Sequence, residues 1–548
     1  MKKAPNNFAF HNPQSEIRNK EVFFQSILFL FFTFHFLLPT SYLFAQTPEW
    51  VYQYVNPAGT DVPSAIIADS SGNTYTTGHL TSQDTTGGHI EGVCVIKLDS
   101  SGELKWCYFN DSLGRLTAGY DIAMKNNRVY VTGYTGPSPS NSPVFISLCV
   151  DTNGQRQWVF MDTIAIRGNA IAVSSSYGVY ACGLTSGYDM ICIKLDTLGN
   201  EVWRYVYDGP AGSYDEASSI VIDGNENIYV GGYSTGLGTA EDFTVIKLDS
   251  AGQEQWVYRY DGPASYNDAG GVIGFDHTGN IYCLGYSWGI GLDFCVVKLS
   301  PSGQEEWVYR FNGPVGGDDF PGCGVVDDSG NIYVTGVSAD TGNIQLFTVM
   351  KVDSAGQQRW CYLSRGPDGC GGSGGPVVLD GLGNIYVGGR FLNTAGSSQI
   401  SLVKFNPAGE VYWVYIYPHI PPWPFAYGTR GIVADVDGNI YLAGKICVSA
   451  WNDDIVVMKF ASGQGKVKEV VDNDLVAKNH RPTIFKGVIE FIPQEDCGVK
   501  VFDVMGRMVV NKALQSGRKE CIKLRSGVYF MRINSAEKVE SRKIVVLE

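Results

Sequence analysis

Residues 329–336 read Ser-Gly-Asn-Ile-Tyr-Val-Thr-Gly. None of these side chains is reactive, yet the chain writes this stretch or a close variant eight times, each ending on a glycine: Gly78, Gly133, Gly183, Gly232, Gly285, Gly336, Gly389 and Gly444. A tryptophan recurs alongside them, at Trp50, Trp106, Trp158, Trp203, Trp256, Trp307, Trp360 and Trp413. The glycines lie 49 to 55 residues apart, and two independent markers that recur once in each such interval identify a repeat architecture.

The fifth unit shows what one repeat holds. Residues 271–276, 281–285, 294–299 and 307–311 are short apolar runs rich in Val, Ile, Tyr and Trp, separated by His-Thr-Gly-Asn, a longer loop, and Ser-Pro-Ser-Gly. Such runs predict four antiparallel strands joined by hairpins. Four-strand units at this spacing predict a β-propeller, in which both faces of every small sheet are buried between neighbours. In that fold Gly-Asn supplies the left-handed turn, the Ile and Val residues line buried faces, and the closing glycine admits a backbone too close for a side chain.

Strand counting then sets the closure. Trp50-Val51-Tyr52-Gln53-Tyr54 looks like a fourth strand with no first three before it, whereas residues 432–435, 439–443 and 455–460 supply three strands with no tryptophan strand after them. The sequence therefore predicts an all-β, eight-bladed propeller whose last blade is completed by an N-terminal strand, which removes two edges open to pairing.

The chain ends are separate pieces. Lys2, Lys3, Arg18 and Lys20 precede an apolar run from Val22 to Phe44 and then Ala45-Gln46-Thr47-Pro48, the order of a secretory signal cleaved after Ala45. No second apolar segment of that kind follows, so no stable transmembrane domain is expected after cleavage. The expected organisation is a signal with N-terminal extension at 1–45, the propeller at 46–460, a linker at 461–483, and a small antiparallel β-sandwich at 484–548. Residues 46–465 hold 21 basic against 42 acidic groups, a balance that repels nucleic acid and anionic membranes. The 13 cysteines contain no C-x-x-C spacing, and most fall on strand positions as small apolar side chains.

Asp327–Gly336 and Val245–Trp256 carry D-x-x-G-N-x-Y-V-x-G and V-x-K-L-D-x-x-G-x-x-x-W patterns. They resemble the SBBP bacterial β-propeller repeat, a resemblance that spans about residues 50–460 and implies a secreted or surface protein without implying an activity. Past the linker, Asp503, Gly506, Arg507, Gly527, Tyr529, Lys543 and Val545 stand in Asp-x-x-Gly-Arg, Ser-Gly-x-Tyr-Phe and Lys-Ile-Val-Val segments. These resemble the type A C-terminal sorting domain of the type IX secretion system. That resemblance implies the type IX secretion machinery as a partner, and delivery to the outer-membrane surface or the extracellular space.

Candidate chemistry is sparse. Gly371–Val378 is similar to the nucleophile segment of chymotrypsin-like proteases, but glycine replaces the preceding aspartate and no partner histidine motif appears, so it reads as an interblade loop. Asp61, Asp215, Asp268 and Asp319 each lie 17 residues before a repeat glycine, which places them on one face near the axis. Such carboxylates could cap their own loops, hold calcium, contact a ligand or act as an acid/base pair. No other cofactor is expected.

Loops after the second and fourth strands should share this upper face and carry the departures from the repeat: His79, His89, Trp288, Asp293, Trp423, Trp451, Asp453 and Asp454. Tryptophans bordered by acids suit a glycan or a protein partner. The sequence thus points to an exported binding scaffold for an unknown protein or glycan; the alternative is an extracellular polysaccharide hydrolase or lyase using upper-face carboxylates.

Overall fold

The computed structural model describes residues 46–462 except 57–58, 84–88, 111–115, 137–142, 419–427 and 450–451, and beyond them the backbone of short strands between 485 and 547. The chain divides into two compact units, one within Leu43–Lys466 and one holding the C-terminal strands.

The first unit is an eight-bladed propeller. Blade 6 contains residues 329–336, and its four strands are Phe320–Val326, Ile332–Ala339, Gln345–Val352 and Gln358–Ser364, hydrogen-bonded in that order. Blades 3, 4, 5 and 7 repeat this order. Blades 1 and 2 do so as well, joined into one sheet by a single parallel bridge between Glu91 and Leu116. The first strands of successive blades touch in a circuit that returns from Thr429–Ala434 to Val62–Ala68, so the ring is closed.

Closure uses the expected strand. Trp50–Tyr54 pairs antiparallel with Asn452–Phe460, with Trp50 opposite Lys459 and Tyr54 opposite Ile455. This gives blade 8 the order fourth, third, second, first strand around the join.

The repeated stretch is fully used. Asp327 Oδ1 accepts from the backbone N–H groups of Ser329 and Asn331 at 2.9 Å each, and Oδ2 accepts from Asn331 Nδ2 at 2.8 Å and Tyr333 Oη at 3.2 Å. Gly330 turns the chain at φ 77°, in the left-handed region that favours glycine. Ile332 and Val334 are buried in a core shared by blades 5 and 6, against Tyr282, Phe294 and Val296. A Cβ on Gly336 would overlap the carbonyl oxygen of Phe320, where the first strand bulges between Pro321 and Cys323. The same overlap with a first-strand carbonyl occurs at Gly78, Gly133, Gly183, Gly232, Gly285 and Gly389.

The second marker joins blades. Trp106 Nε1 donates to the carbonyl of Thr152, Trp158 to Thr197, Trp203 to Ser250, Trp307 to Ser354 and Trp360 to Pro407, each on the turn between the third and fourth strands of the following blade. The ring lies against that turn's positive-φ glycine, so a side chain there would collide with the indole. Third-strand lysines cover second-strand tyrosines, as Lys351 does at 5.0 Å from the Tyr333 ring centre and Lys404 at 4.8 Å from Tyr386.

One segment differs from its expected role. Ser373, Gly374 and Gly375 belong to the first strand of blade 7, Gly372–Leu379, which begins earlier than an interblade loop would allow. The Gly374 and Gly375 positions meet backbone carbonyls of blades 6, 7 and 8, and so fit a site where sheets approach without side chains.

In the second unit, Phe485–Lys486, Val539–Leu547, Gly527–Ser535, Cys497–Asp503 and Met508–Leu514 form a five-stranded sheet, and Val488–Phe491 pairs with Glu520–Lys523. All pairings are antiparallel except the two-residue contact of Phe485–Lys486 with Val546–Leu547.

Candidate functional site

The four aspartates singled out by spacing sit at the start of first strands and are buried, at 0–1% exposure. Asp215 Oδ2 accepts from the N–H of Gly209 at 2.7 Å and Oδ1 from that of Thr235 at 3.2 Å. Asp268 accepts from the N–H groups of Gly262 at 2.5 Å and Trp288 at 3.0 Å. Asp319 accepts from Gly313 N–H and Ser338 Oγ. Asp61 Oδ1 accepts from Thr81 N–H at 2.9 Å and Asn56 Nδ2 at 3.0 Å. Each side chain thus ties the incoming loop to the end of the second strand.

Their own N–H groups reach the preceding blade: Asp215 to Tyr188 O, Asp268 to Glu241 O, Asp319 to Leu292 O and Asp61 to Asp453 O. Burial raises all four carboxyls, and Asp61, beside Asp453 and Asp454, is pushed up to about 7.

The other acids also have structural partners. Asp293 pairs with Arg310 at 2.7 Å and Asp242 with Arg259 at 2.6 Å, both from third to fourth strand within a blade. Asp454 stands at the equivalent position of blade 8, where Gln53 Nε2 of the closing strand donates to it at 2.6 Å. Asp453 pairs with Lys445 at 2.6 Å. Burial lowers His79, which lies near Glu91, Lys445 and Asp453. Trp423 and Trp451 lie outside the described residues, as does the side chain of His89.

Trp288 is half-buried, with its ring 5.9 Å from that of Tyr266, which is 61% exposed. A larger aromatic group lies one blade earlier, at the junction of blades 3 and 4. Tyr188 stacks on Tyr214 with ring centres 5.2 Å apart, and Tyr214 on Tyr233 at 5.9 Å and 5° between planes. Glu216 fixes the inner end: its Oε2 accepts from Tyr214 Oη at 3.1 Å and Tyr233 Oη at 2.8 Å, while Oε1 accepts from Asn169 Nδ2 at 2.8 Å and pairs with Arg167. The outer end, Tyr188, is 52% exposed and held at φ 70°, in the left-handed region that a tyrosine rarely occupies.

Beside it, carboxylate oxygens of Asp189, Asp208 and Asp215 lie within 4.8 Å of one another. Three carboxylates at that spacing have the donor chemistry for a divalent cation. Asp215 belongs to the spacing-defined set; Asp189 and Asp208 do not, because one comes from the loop after a second strand and the other from the next interblade loop. Tyr188 and Tyr214 escaped the sequence reading for the same reason. Their signal was position alone, since both lie in the two loop classes that open on the upper face.

Residues 209–238 match the SBBP family, described as a beta-propeller repeat, and residues 483–547 match the secretion system C-terminal sorting domain. The chain is an SBBP-type β-propeller with a type IX sorting tail. It is therefore handled by the type IX secretion system and is an extracellular, secreted or cell-surface protein. Among the described residues no helix is long and apolar enough to cross a membrane. In the tail, Asp503 lies opposite Tyr529, and Lys543 opposite Phe530, while Gly506 and Arg507 lie outside the described residues.

No curated protein matches the chain. Among solved structures, the propeller is similar to Sqt1 from Chaetomium thermophilum, at 12% identity and a TM-score of 0.51, covering 76% of this chain and 100% of that one. A second structure, Sqt1 bound to the N-terminus of the ribosomal protein L10, aligns at 12% identity and a TM-score of 0.48 over 73% and 97% of the two chains. A protein of unknown function from Bacteroides caccae aligns at 12% identity and a TM-score of 0.32 over 55% and 94%. At this identity the Sqt1 likeness shows fold alone.

Proposed function

We propose that the SBBP propeller is a rigid extracellular binding scaffold that takes a glycan on its upper face, at the junctions of blades 3, 4 and 5. The observation that carries this reading is the tyrosine stack that ends on exposed Tyr188 beside Asp189 and Asp208. An aromatic face suits the apolar side of a sugar ring, and adjacent carboxylates accept hydroxyl hydrogen bonds. Trp288 and Tyr266 offer a second platform one blade along. Asp61, Asp215, Asp268 and Asp319 support the scaffold from beneath, through their loop amides.

The test is binding of the secreted protein to a panel of immobilised polysaccharides. Tyr188→Ala and Trp288→Ala should lose retention with an unchanged thermal midpoint; undiminished retention by both variants would overturn the reading, and capture of a protein instead of any glycan would redirect it. Among the described residues, the place for calcium is the cluster of Asp189, Asp208 and Asp215, where added calcium should raise the thermal midpoint of the native chain and not that of Asp208→Asn. The alternative, a polysaccharide hydrolase or lyase, requires turnover, and sugar release lost in a folded Asp215→Asn variant would replace the binding reading.

The same reading keeps residues 1–45 as the exported signal with its extension, 46–460 as the propeller, 461–483 as a linker and 484–548 as a small sandwich that addresses the chain to export. A mature N-terminus other than Gln46 would move the first boundary.

A further inference from the structure

Blade 3 carries two cysteines that face each other. Cys182 on Val179–Thr185 and Cys192 on Met190–Leu195 are direct partners across the antiparallel pair, two steps below the pair that closes the hairpin presenting Tyr188. Both are buried, at 0% and 1% exposure, and both belong to the core packed against blade 4, so their side chains leave the same face of the sheet.

Two other neighbouring pairs provide the contrast. Cys283 stands opposite Val297 and Cys295 opposite Gly285, while Cys107 stands opposite Ile96 and Cys94 opposite Phe109; both pairs are diagonal, two residues out of step. Directly opposed residues of an antiparallel pair have Cα atoms about 4.5–5.5 Å apart, within the span of roughly 4.4–6.8 Å that a disulfide bridges. Diagonal neighbours lie about 7–8 Å apart, beyond it. Among the described cysteines, the opposed pair is therefore the one that the sheet geometry allows to close.

The chain leaves the cytoplasm, so it passes through a compartment where disulfides form and persist. We propose that Cys182 and Cys192 form a disulfide in the exported protein, a covalent clamp across the hairpin that carries Tyr188. One thiolate attacks the disulfide of a thiol–disulfide oxidoreductase and forms a mixed disulfide. The second thiolate then displaces the carrier, so the two cysteines lose two protons and two electrons and the carrier leaves with both its sulfurs reduced. Burial raises both thiols well above their ordinary range, so neither reacts in the finished propeller. The bond consequently forms before blade 4 packs over blade 3, and afterwards resists reductants until the ring unfolds.

The experiment uses the full chain collected from the extracellular fraction, denatured without reductant in the presence of an alkylating agent and digested with trypsin. Residues 168–194 form one tryptic peptide, which follows Arg167, ends at Lys194 and contains no cysteine besides Cys182 and Cys192. The expected peptide is unalkylated and lighter than the reduced form by two hydrogens, and it gains two alkyl groups once reductant is added. Recovery of that peptide doubly alkylated without reductant overturns the proposal. As a second readout, reductant should lower the thermal midpoint of the native chain and leave that of Cys182→Ala unchanged. Equal effects on both would also overturn it. Neither outcome bears on glycan binding, because the measurement concerns only the two sulfurs.

Discussion

Trp50 Nε1 donates to the carbonyl of Ser100 at 3.1 Å, and the indole lies over Gly102, whose φ is 85°. This is the bond that Trp106, Trp158 and Trp203 make to the turns of the blades that follow them. Residue 50 is thus the fourth-strand tryptophan of blade 8, reaching forward to blade 1. The ring is closed twice, by strand pairing within blade 8 and by this indole across the seam.

Trp50→Ala should therefore cost more than its half-buried position suggests. It removes the seam contact as well as packing on Tyr441, 6.1 Å away between ring centres. Loss of about 3 kcal/mol is expected from a large-to-small change at a packed aromatic, read as a lowered midpoint in denaturant unfolding. Trp203→Ala, away from the seam, should lower stability without promoting association. Trp50→Ala should do both, because a loosened Trp50–Tyr54 exposes the edge of Asn452–Phe460 to other chains. Sedimentation of the two variants separates the effects.

The repeat glycine gives a test with an internal control. A methyl group at Gly232 would overlap the carbonyl oxygen of Glu216, while at Gly224 it would meet nothing within 4 Å. Gly232→Ala should destabilise the protein by roughly 2 kcal/mol or more, since backbone on both sides must move, and should disturb the Glu216 network. Gly224→Ala should be neutral or slightly stabilising. Equal midpoints for the two would contradict the close approach of the repeat glycine to a first-strand carbonyl seen in every blade except the last.

The fold was legible because it is periodic. The turn residues, buried Ile and Val and the repeat glycine recur from unit to unit, so position in the repeat stood in for an alignment, and the orphan strand at residues 50–54 could be matched to the blade that lacked one. The candidate site was legible only in outline. Spacing found Asp215 and the loops that vary, but Tyr188, Tyr214 and Tyr233 come from three segments of two blades, and what stacks them is the interblade bond from Asp215 N–H to Tyr188 O at 2.7 Å. A periodic pattern exposes what recurs; this group occurs once.

Asp215 and Asp268 should behave as caps. Asp215→Ala leaves the N–H groups of Gly209 and Thr235 without their acceptor in a buried setting, a loss of about 1–3 kcal/mol. Thermal denaturation should show the drop for Ala and a smaller one for Asn, which keeps an acceptor oxygen. A variant with Ala at full stability would mean that the carboxylate does not hold the loop.

Asp61 should make the seam sensitive to pH. Its Oδ1 takes two hydrogen bonds, its Oδ2 is buried with no hydrogen-bond partner among the described residues, and Asp453 and Asp454 lie close by. Burial is the main cause of a carboxyl pushed from 3.8 up to about 7 in the folded chain. Below the ordinary value both folded and unfolded chains hold the proton, and the group's contribution is fully present. Between there and about 7 the unfolded chain releases the proton while the folded chain retains it, so stability is lost as pH rises, by roughly 2–4 kcal/mol in total. His79, lowered by burial, works in the opposite direction over a window that closes near its ordinary value. Comparison with Asp61→Asn isolates the carboxyl, since the variant keeps His79, an acceptor for Thr81 and a neutral group facing Asp453 and Asp454. The native chain should lose stability from about pH 4 to about pH 7 relative to Asp61→Asn, and the variant should be the more stable of the two at the alkaline end. Parallel stability curves for the two proteins would show that Asp61 is ionised in the folded ring.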